Sequence, residues 1–522
     1  MAYSSERPGS GYADDSASQI ELLLGGEDEG SPKRPKKTVW TAQRCYRCLQ
    51  NLLHDLILHQ RRRFRCRNSS RTHTLWQSFR LLSYLVGGFI LVSVVQAICH
   101  PSYERPPEHY SRLHQKILSS TESGRANPDN EKIFIAANII REDLIRGPWG
   151  ASLLELVTLL GARNVFVSIY ENDSGNATSE ALMELQDKLP CNSSVVAGDH
   201  LRLSDLPKTT APGGKKRIKR IAYLAEVRNR ALRPLNSSYT PDSTEPSERG
   251  FRHTTEQFDR VLFLNDIYFS ATDAAQLLFS TNAEKTGRPD YRAACAIDFT
   301  ANVMFYDTFV VRDMEGYGMG LMFFPWFPAV GKSESRQDVL AEKDAVRVRS
   351  CWGGMVAFDA QIFQSKNSNN QSELAITFRH EPEPFWEAAE CCLIFADTET
   401  GSPAGVYINP FIRVAYTENT WIWLGFFRRY ERIFANLQWI VSKIGYPEYN
   451  PRRLHNPGQV VKEKVWVNGE DESQPGSFQM LERRAGAGGF CGQRRMFVMK
   501  EDINAANKKG EKNWEKLPVP SR

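Results

Sequence analysis

A chain of 522 residues, 41% hydrophobic and 24% charged, has room for one large folded domain or two with tails, and it has the balance of a globular protein. The formal net charge of +5 is uneven: residues 1–80 carry 14 Lys/Arg against 8 Asp/Glu, which leaves the remainder near neutral. A near-neutral main domain lacks the basic face that nucleic-acid binding needs, so nucleic acid is excluded as its partner.

Residues 1–38, rich in Ser, Gly, Pro and charge, are expected to be disordered. Within them Lys33-Arg34-Pro35-Lys36-Lys37 is a solvated charge run. Cys45, Cys48, His54 and His59 superficially resemble a zinc set, but the gap between the pairs is far shorter than in a zinc finger. A juxtamembrane amphipathic helix over 40–60 is the reading adopted. Leu81 to Cys99 holds 19 residues without a charge, about 28 Å as a helix, enough to cross a bilayer core. Arg61, Arg62, Arg63, Arg65, Arg67, Arg71 and Arg80 crowd its N-terminal side. The positive-inside rule then keeps 1–80 cytosolic and exports the residues after His100, a single-pass type II arrangement with 81–99 as signal-anchor.

An exported domain is expected to meet oxidising conditions and glycosylation. Asn-x-Ser/Thr sequons at Asn172, Asn176, Asn192, Asn236 and Asn370 all come after the span, whereas the one at Asn68 falls on the cytosolic side. Cys191, Cys295, Cys351, Cys391, Cys392 and Cys491 form an even set available for disulfides, with the pairing left open.

Residues 100–131, polar and Pro-bearing, read as a stem, and a catalytic-size domain is expected over 132–444. Ile133–Ala137 and Val165–Tyr170 read as strands and Leu153–Leu160 as the apolar side of a helix stopped by Gly161; a second helix follows over Ser179–Leu189. This alternation predicts an α/β fold with right-handed crossovers. Lys215–Leu232 predicts a helix carrying Arg217, Arg220, Arg228 and Arg230, suited either to a nucleotide diphosphate or to a solvated face. Val261–Leu264 is a buried-strand run that ends in Asn265-Asp266, and a carboxylate past the C-terminal end of such a strand sits where open α/β sheets bind ligands. Ala293–Ile297 repeats the pattern and runs into Asp298, with Asp307, Arg312 and Asp313 close behind. The Gly/aromatic loop Gly316–Pro328 suits either sugar stacking or core packing. Glu390 opens a further helix, with Asp397 two turns on. Residues 445–522, richer in Pro, Gly and charge, are expected to be a weakly ordered extension.

Taken in order, IFIAANI, ELVTLLGARNVFVSIYENDSGN, RIAYLAEVRNRALRPL, VLFLNDIYF, ACAIDF, YDTFVVRD, SCWGGMVAFDA, FRHEPEPFWEAAECCL and YINPFIRVAY, from Lys132 to Tyr416, resemble the fungal capsule-associated, cryptococcal-type α-1,3-mannosyltransferase family (glycosyltransferase family 69-like). The resemblance implies a glycosyltransferase A-like single domain around a central mixed, mainly parallel sheet. It implies a Golgi-membrane (or endoplasmic reticulum) enzyme with a luminal catalytic domain, GDP-mannose as donor, a glycan acceptor, Mn²⁺ or Mg²⁺, and other Golgi glycosyltransferases as partners. Donor binding falls to Arg228, Asn229, Asn265, Asp266, Arg312 and Asp313, with the metal on Asp266. Acceptor binding falls to Trp352, Gly353 and Gly354, and catalysis to Glu390 and Asp298. The Asp-x-Asp pattern usual in such folds is replaced here by Asn265-Asp266. α-Mannose from an α-linked donor would be a retaining transfer, in which Glu390 need only orient the acceptor. Two other classes stay open: a non-catalytic glycan-binding or assembly subunit, and a glycoside hydrolase with Asp266 and Glu390 as opposed carboxylates. Donor dependence separates them, and UDP-xylose is the competing donor.

Overall fold

A computed structural model describes residues 70–520, apart from 173, 198–200, 213, 236–253, 255, 285–286, 365, 369–370, 374, 400–404, 445–449, 470–475 and 501–512. The expected tail and the Cys45–His59 helix lie outside the described residues, as do the sequons at Asn236 and Asn370. Two compact units are distinguished, Ile20–Val95 and the rest of the chain. The helix α1 (Ser70–Cys99), all but its last four residues in the first unit, contains a stretch, Trp76–Cys99, whose mean hydropathy of 2.1 and length of 24 residues are those of a membrane-crossing helix.

The larger unit follows in chain order. After α2 (Glu108–Ser119) come β1 (Ile133–Ala137), α3 (Glu142–Arg146), α4 (Pro148–Leu160), β2 (Val165–Tyr170), α5 (Asn176–Lys188) and β3 (Asn192–Val196). A hairpin, β4 (Lys208–Thr210) and β5 (Lys216–Ile218), leads into α6 (Arg220–Leu232), β6 (Arg260–Leu264), α7 (Ala271–Ser280), β7 (Ala293–Ala301) and β8 (Met304–Phe305). Then come α8 (Glu334–Leu340), β9 (Val346–Val348), β10 (Met355–Asp359) and the small pair β11 (Lys366–Ser368) and β12 (Gln371–Glu373). They are followed by β13 (Glu387–Ala388), α9 (Glu390–Thr398), β14 (Val406–Ala415), α10 (Glu418–Arg428) and α11 (Phe434–Ile444). The chain closes with β15 (Val460–Val467), β16 (Ser477–Arg484), β17 (Gly492–Gln493), β18 (Phe497–Met499) and β19 (Trp514–Lys516).

Apolar runs on both faces bury the central strands: β1, β2 and all but the first residue of β6 are fully buried. The sheet has nine strands in the order β3-β2-β1-β6-β10-β7-β14-β9, with β8 paired to β7. Gly161 does stop α4, with φ +90°.

The expected glycosyltransferase A-like single domain with a central mixed, mainly parallel sheet is corrected on two counts. First, β10 runs antiparallel to both β6 and β7, and β9 and β8 are antiparallel to β14 and β7, so parallel pairing is confined to β3-β2-β1-β6 and β7-β14. An apolar run such as Met355–Phe358 marks a buried strand but not its direction. Second, Ala211, Phe385, Trp466, Met496 and Val498 form a core apart from the one under the large sheet.

That second core also corrects the weakly ordered extension over its described residues, 450–469, 476–500 and 513–520. β15 and β16 pair over eight residues, β17 pairs with β13, and Cys491 is disulfide-bonded to Cys392 in α9. Arg452, buried, bonds Glu383 at 2.7 Å and Glu463 at 2.8 Å. A few large apolar residues and one crosslink order a segment whose composition is that of loops. The stem is corrected for the same kind of reason. Tyr103, Tyr110, Leu113 and Ile117 are buried in the main core, so α2 belongs to the folded unit. The Gly316–Pro328 loop is packing too: Met319, Phe324, Trp326 and Phe327 lie in that core.

Candidate functional site

Strand β6 delivers Asn265 to the C-terminal edge of the sheet, and the surrounding loops hold it there from both sides. Its backbone N–H donates to Gly354 O (2.9 Å), and its carbonyl accepts from Trp149 Nε1 (3.0 Å). Its side-chain Oδ1 accepts from Trp352 Nε1 (3.3 Å) and Arg228 Nη1 (3.4 Å), while Nδ2 donates to Tyr416 Oη (3.4 Å). Tyr416 in turn donates to Asp298 Oδ2 (3.1 Å). Asp298 Oδ1 accepts from the Asp307 N–H (3.2 Å), and Asp307 Oδ2 accepts from the Gly353 N–H (3.0 Å). The chain of contacts thus closes on the Trp352–Gly354 loop, and the disulfide Cys295–Cys351 pins that loop to β7.

Arg228, on the exposed-to-core boundary of α6, projects into this ring. Its Nε donates to Glu390 Oε1 (2.9 Å), and its guanidinium lies 4.3 Å from the Trp352 ring centre and 5.3 Å from that of Phe263. Glu390 is the first residue of α9, where the helix dipole favours a carboxylate. It is buried and accepts a further bond from Cys391 Sγ (3.2 Å). A cation braced between a carboxylate and aromatic faces is held in one orientation, ready to meet a second anion.

Asp266 is the next residue, 1% exposed at the strand end. Its charge is felt by Arg141: burial works against the Arg141 cation, but the hydrogen bond and charge of Asp143 and the charge of Asp266 raise its pKa overall. Arg141 also donates to the Tyr416 carbonyl (3.0 Å). Past the end of β1, Asn138 Nδ2 donates to Tyr170 O (3.0 Å) and Val227 O (3.1 Å), and its Oδ1 is buried with no hydrogen-bond partner among the described residues.

The structure therefore brings together Arg228, Asn265, Asp266, Asp298, Trp352, Gly353, Gly354 and Glu390. Asn229 does a different job: its side chain exchanges two bonds with the Phe378 backbone, at 2.8 Å each, and straps that segment to α6. Arg312 is buried and donates to the carbonyls of Phe490, Cys491, Phe309 and Val311, tying its loop to the C-terminal segment. Asp313 caps its own turn by accepting from the N–H groups of Glu315 and Tyr317. Asp397 pairs with Arg379 and stands apart from Glu390's partners. Tyr416 and Asp307 are the members that sequence reasoning left without a role. Tyr416 closes the block YINPFIRVAY, and a tyrosine following a buried strand is the only signal it offered.

Of the described sequons, Asn176 and Asn192 are exposed. Asn172 is engaged at both ends, donating to Tyr223 Oη (3.0 Å) and accepting from Leu201 N (2.7 Å), so a glycan there would displace a bond.

Two acids of the ring, Asp298 and Asp307, are shifted by their surroundings. Burial, and then the charge of Asp307, push Asp298 well above the carboxylate range. Burial raises Asp307 to about 7, against the opposing pull of the Gly353 N–H and Arg228. The two buried carboxyls therefore do not titrate independently of each other. Because the folded pKa of Asp307 exceeds the ordinary 3.8, the folded chain holds a proton that the unfolded chain releases. Its contribution is therefore fully present below about pH 4 and is lost as pH rises toward about 7. Asp307→Asn is expected to gain on wild type in thermal midpoint between pH 4 and 7; curves that run parallel across that window would count against the assignment.

The described residues contain no group of three His, Cys, Asp or Glu side chains able to hold a metal ion. Asp266 by itself offers one carboxylate, which suits a hard cation taking its other oxygens from substrate phosphates and water rather than a resident ion in a protein cage.

Among curated proteins, the chain is 22% identical over 285 residues to the alpha-1,3-mannosyltransferase CMT1 of Cryptococcus neoformans var. neoformans serotype D, covering 51% of this chain and 53% of that one. The chain thus spans about half the length of the curated relative it matches. Among solved structures, it is 11% identical to the mannosyltransferase PcManGT of Pyrobaculum calidifontis, in complex with GDP-Man and Mn²⁺, with a TM-score of 0.29 over 63% of this chain and 66% of the other. It is 13% identical to glucosyl-3-phosphoglycerate synthase of Mycobacterium tuberculosis, with a TM-score of 0.29 over 73% and 96%. Scores of this size do not assign a fold. The model of the family described as Cryptococcal mannosyltransferase 1 matches residues 132–397, which run from β1 to the penultimate residue of α9 and hold every member of the ring except Tyr416, and the chain belongs to that family.

Proposed function

We propose that this chain is a membrane-anchored glycosyltransferase that moves mannose from GDP-mannose onto a glycan acceptor in an α-1,3 linkage with retention, in the Golgi or endoplasmic reticulum lumen. The observation that carries the proposal is the brace on Arg228 at the C-terminal edge of the sheet, between Glu390, Asn265 and the Trp352 ring. A guanidinium fixed at that edge suits a leaving diphosphate, whose developing charge needs a preorganised cation. Asn138, with its unmet acceptor past β1, suits a base N–H of the donor nucleotide. Asp298 and Asp307 give the ring a polar wall for sugar hydroxyls. Glu390, fixed by Arg228 and Cys391, orients rather than abstracts, as retention allows. A divalent cation shared between Asp266 and the diphosphate would add neutralising charge to the leaving group. The Trp352–Gly354 loop is assigned to the acceptor.

The test is release of GDP or UDP by the purified full chain from a panel of nucleotide sugars, with mannan acceptors and with Mn²⁺ or EDTA, for wild type and Asp266→Ala. Release from GDP-mannose, lost with EDTA and in the variant, is the expected result. Activity that survives the substitution removes Asp266, release from UDP-xylose alone replaces the donor, and no release from any donor leaves the non-catalytic glycan-binding subunit as the better reading.

A further inference from the structure

Helices α10 and α11 are amphipathic the wrong way round for a surface in water. On α10, Ile422, Trp423 and Phe426 share one face; on α11 Leu437 and Ile440 share one, with Trp439 flanking Ile440; each of these side chains is between 46% and 66% exposed. The opposite faces are satisfied by the fold: Leu424 and Thr420 are buried in α10, and Gln438 and Ser442 in α11. The exposed residues are therefore not a failure of packing but a second apolar face, of a kind that marks a contact surface. Aromatic rings crowd it, with Trp423 and Phe426 5.8 Å apart and Phe426 and Tyr430 5.1 Å apart. Arg428 and Arg429 stand at its edge, where α10 ends. Tryptophan and phenylalanine with a rim of arginine is the composition of helices that lie in the headgroup layer of a bilayer.

The chain itself says what covers this face. The apolar stretch Trp76–Cys99 ends three residues before Ser102. Ser102 Oγ donates to Glu431, in the turn between α10 and α11, and Glu104 pairs with Arg429 at 2.8 Å. Between them Tyr103 is fully buried, its ring 4.8 Å from that of Phe411 and its hydroxyl donating to Val339 O (3.1 Å). Three residues reach about 10 Å at most. If Cys99 leaves a bilayer, the turn joining α10 and α11 is fastened within that reach of its surface.

We infer that α10 and α11 form a monotopic membrane-seating surface, which inserts Ile422, Trp423, Phe426, Leu437, Trp439 and Ile440 into the headgroup and upper acyl region of the bilayer that the apolar stretch crosses. The seat fixes the orientation of the sugar-binding edge, because α10 begins two residues after Tyr416 and is continuous with β14. Its existence does not depend on the reaction the chain carries out.

The test uses the full chain in vesicles of phosphatidylcholine and phosphatidylserine containing a phosphatidylcholine with a diazirine near the glycerol end of one acyl chain. After illumination, adducts are mapped by mass spectrometry. Adducts on peptides covering 418–428 and 434–442, in addition to 76–99, are expected, and the exposed β15–β16 hairpin serves as the water-facing control. The triple variant Ile422→Ser/Phe426→Ser/Ile440→Ser should lose the 418–442 adducts by about ten-fold or more while keeping those on 76–99, because each substitution removes a large apolar side chain from the contact. Adducts confined to 76–99 in the wild type overturn the inference, whether α10 and α11 are then bare or crosslinked to a second copy of the chain.

Discussion

Gly353→Ala is expected to give a chain that folds poorly and melts well below wild type, with the loss falling first on the candidate site. Gly353 has φ +62°, where an L side chain is strained, and a Cβ there would lie 1.9 Å from the Ala296 carbonyl oxygen and 2.7 Å from its carbon. That neighbour is backbone of β7, which is paired to β10 on one side and β14 on the other, so it has nowhere to move. The loop cannot retreat either, since Cys351 is disulfide-bonded to Cys295 and the Gly353 N–H is bound to Asp307. Left-handed strain of about 1–2 kcal/mol and overpacking of about 1–3 kcal/mol place the cost at roughly 3 kcal/mol or more. Gly354→Ala makes an informative partner. It has φ +67°, but its nearest contact is the Ile267 Cγ2 at 3.0 Å, a side chain that can give way. Thermal midpoints of the two variants should therefore rank Gly353→Ala below Gly354→Ala, and both below wild type. Equal midpoints would mean that the loop is looser than these contacts require.

The elements legible in the sequence were those whose information is local. Val261–Leu264 reads as a buried strand from its apolar run, and Gly161 as a helix stop from its freedom at positive φ. Glu390 reads as a helix start, and α9 begins there. What the sequence hid is non-local. Nothing in Met355–Phe358 says that this strand enters between β6 and β7 running the other way. Nothing in Arg312-Asp313 distinguishes a ligand-binding pair from two residues that satisfy backbone groups, one reaching across to Phe490 and Cys491. Tyr416 joins the site only because β14 lies beside β7 and brings its end next to Asp298. The described residues after 449 were obscured for a related reason: their order comes from Cys392–Cys491 and from a small core shared with Ala211 and Phe385, far away in sequence. A resemblance of ordered blocks reported the family, but not the sheet's direction or the second core.

Arg228→Met is expected to lower both stability and sugar transfer, and the double variant Arg228→Met/Glu390→Gln separates the two effects. The single substitution leaves the Glu390 carboxylate buried without the cation bound to it at 2.9 Å. Breaking one side of a buried pair typically costs about 3–5 kcal/mol, because the remaining charge is stranded. Adding Glu390→Gln removes that charge at nearly constant shape, so most of the stability should return, and the two changes should couple by more than about 1 kcal/mol in a double-mutant cycle of thermal or denaturant midpoints. Transfer should not return with it. A preorganised cation facing a departing diphosphate is worth about 10²–10³ in rate, and neither methionine nor glutamine supplies one. Arg228→Lys adds a further distinction. Lysine keeps the charge but loses the planar group that stacks 4.3 Å over Trp352 while bonding Glu390 and Asn265. If the brace matters, this variant should fold normally and still transfer sugar far more slowly than wild type. Recovery of transfer together with stability in the double variant would make the pair a structural strut, and the diphosphate would then have to be met by another cation at the same edge, with Arg141, whose charge already interacts with Asp266, as the residue to change next.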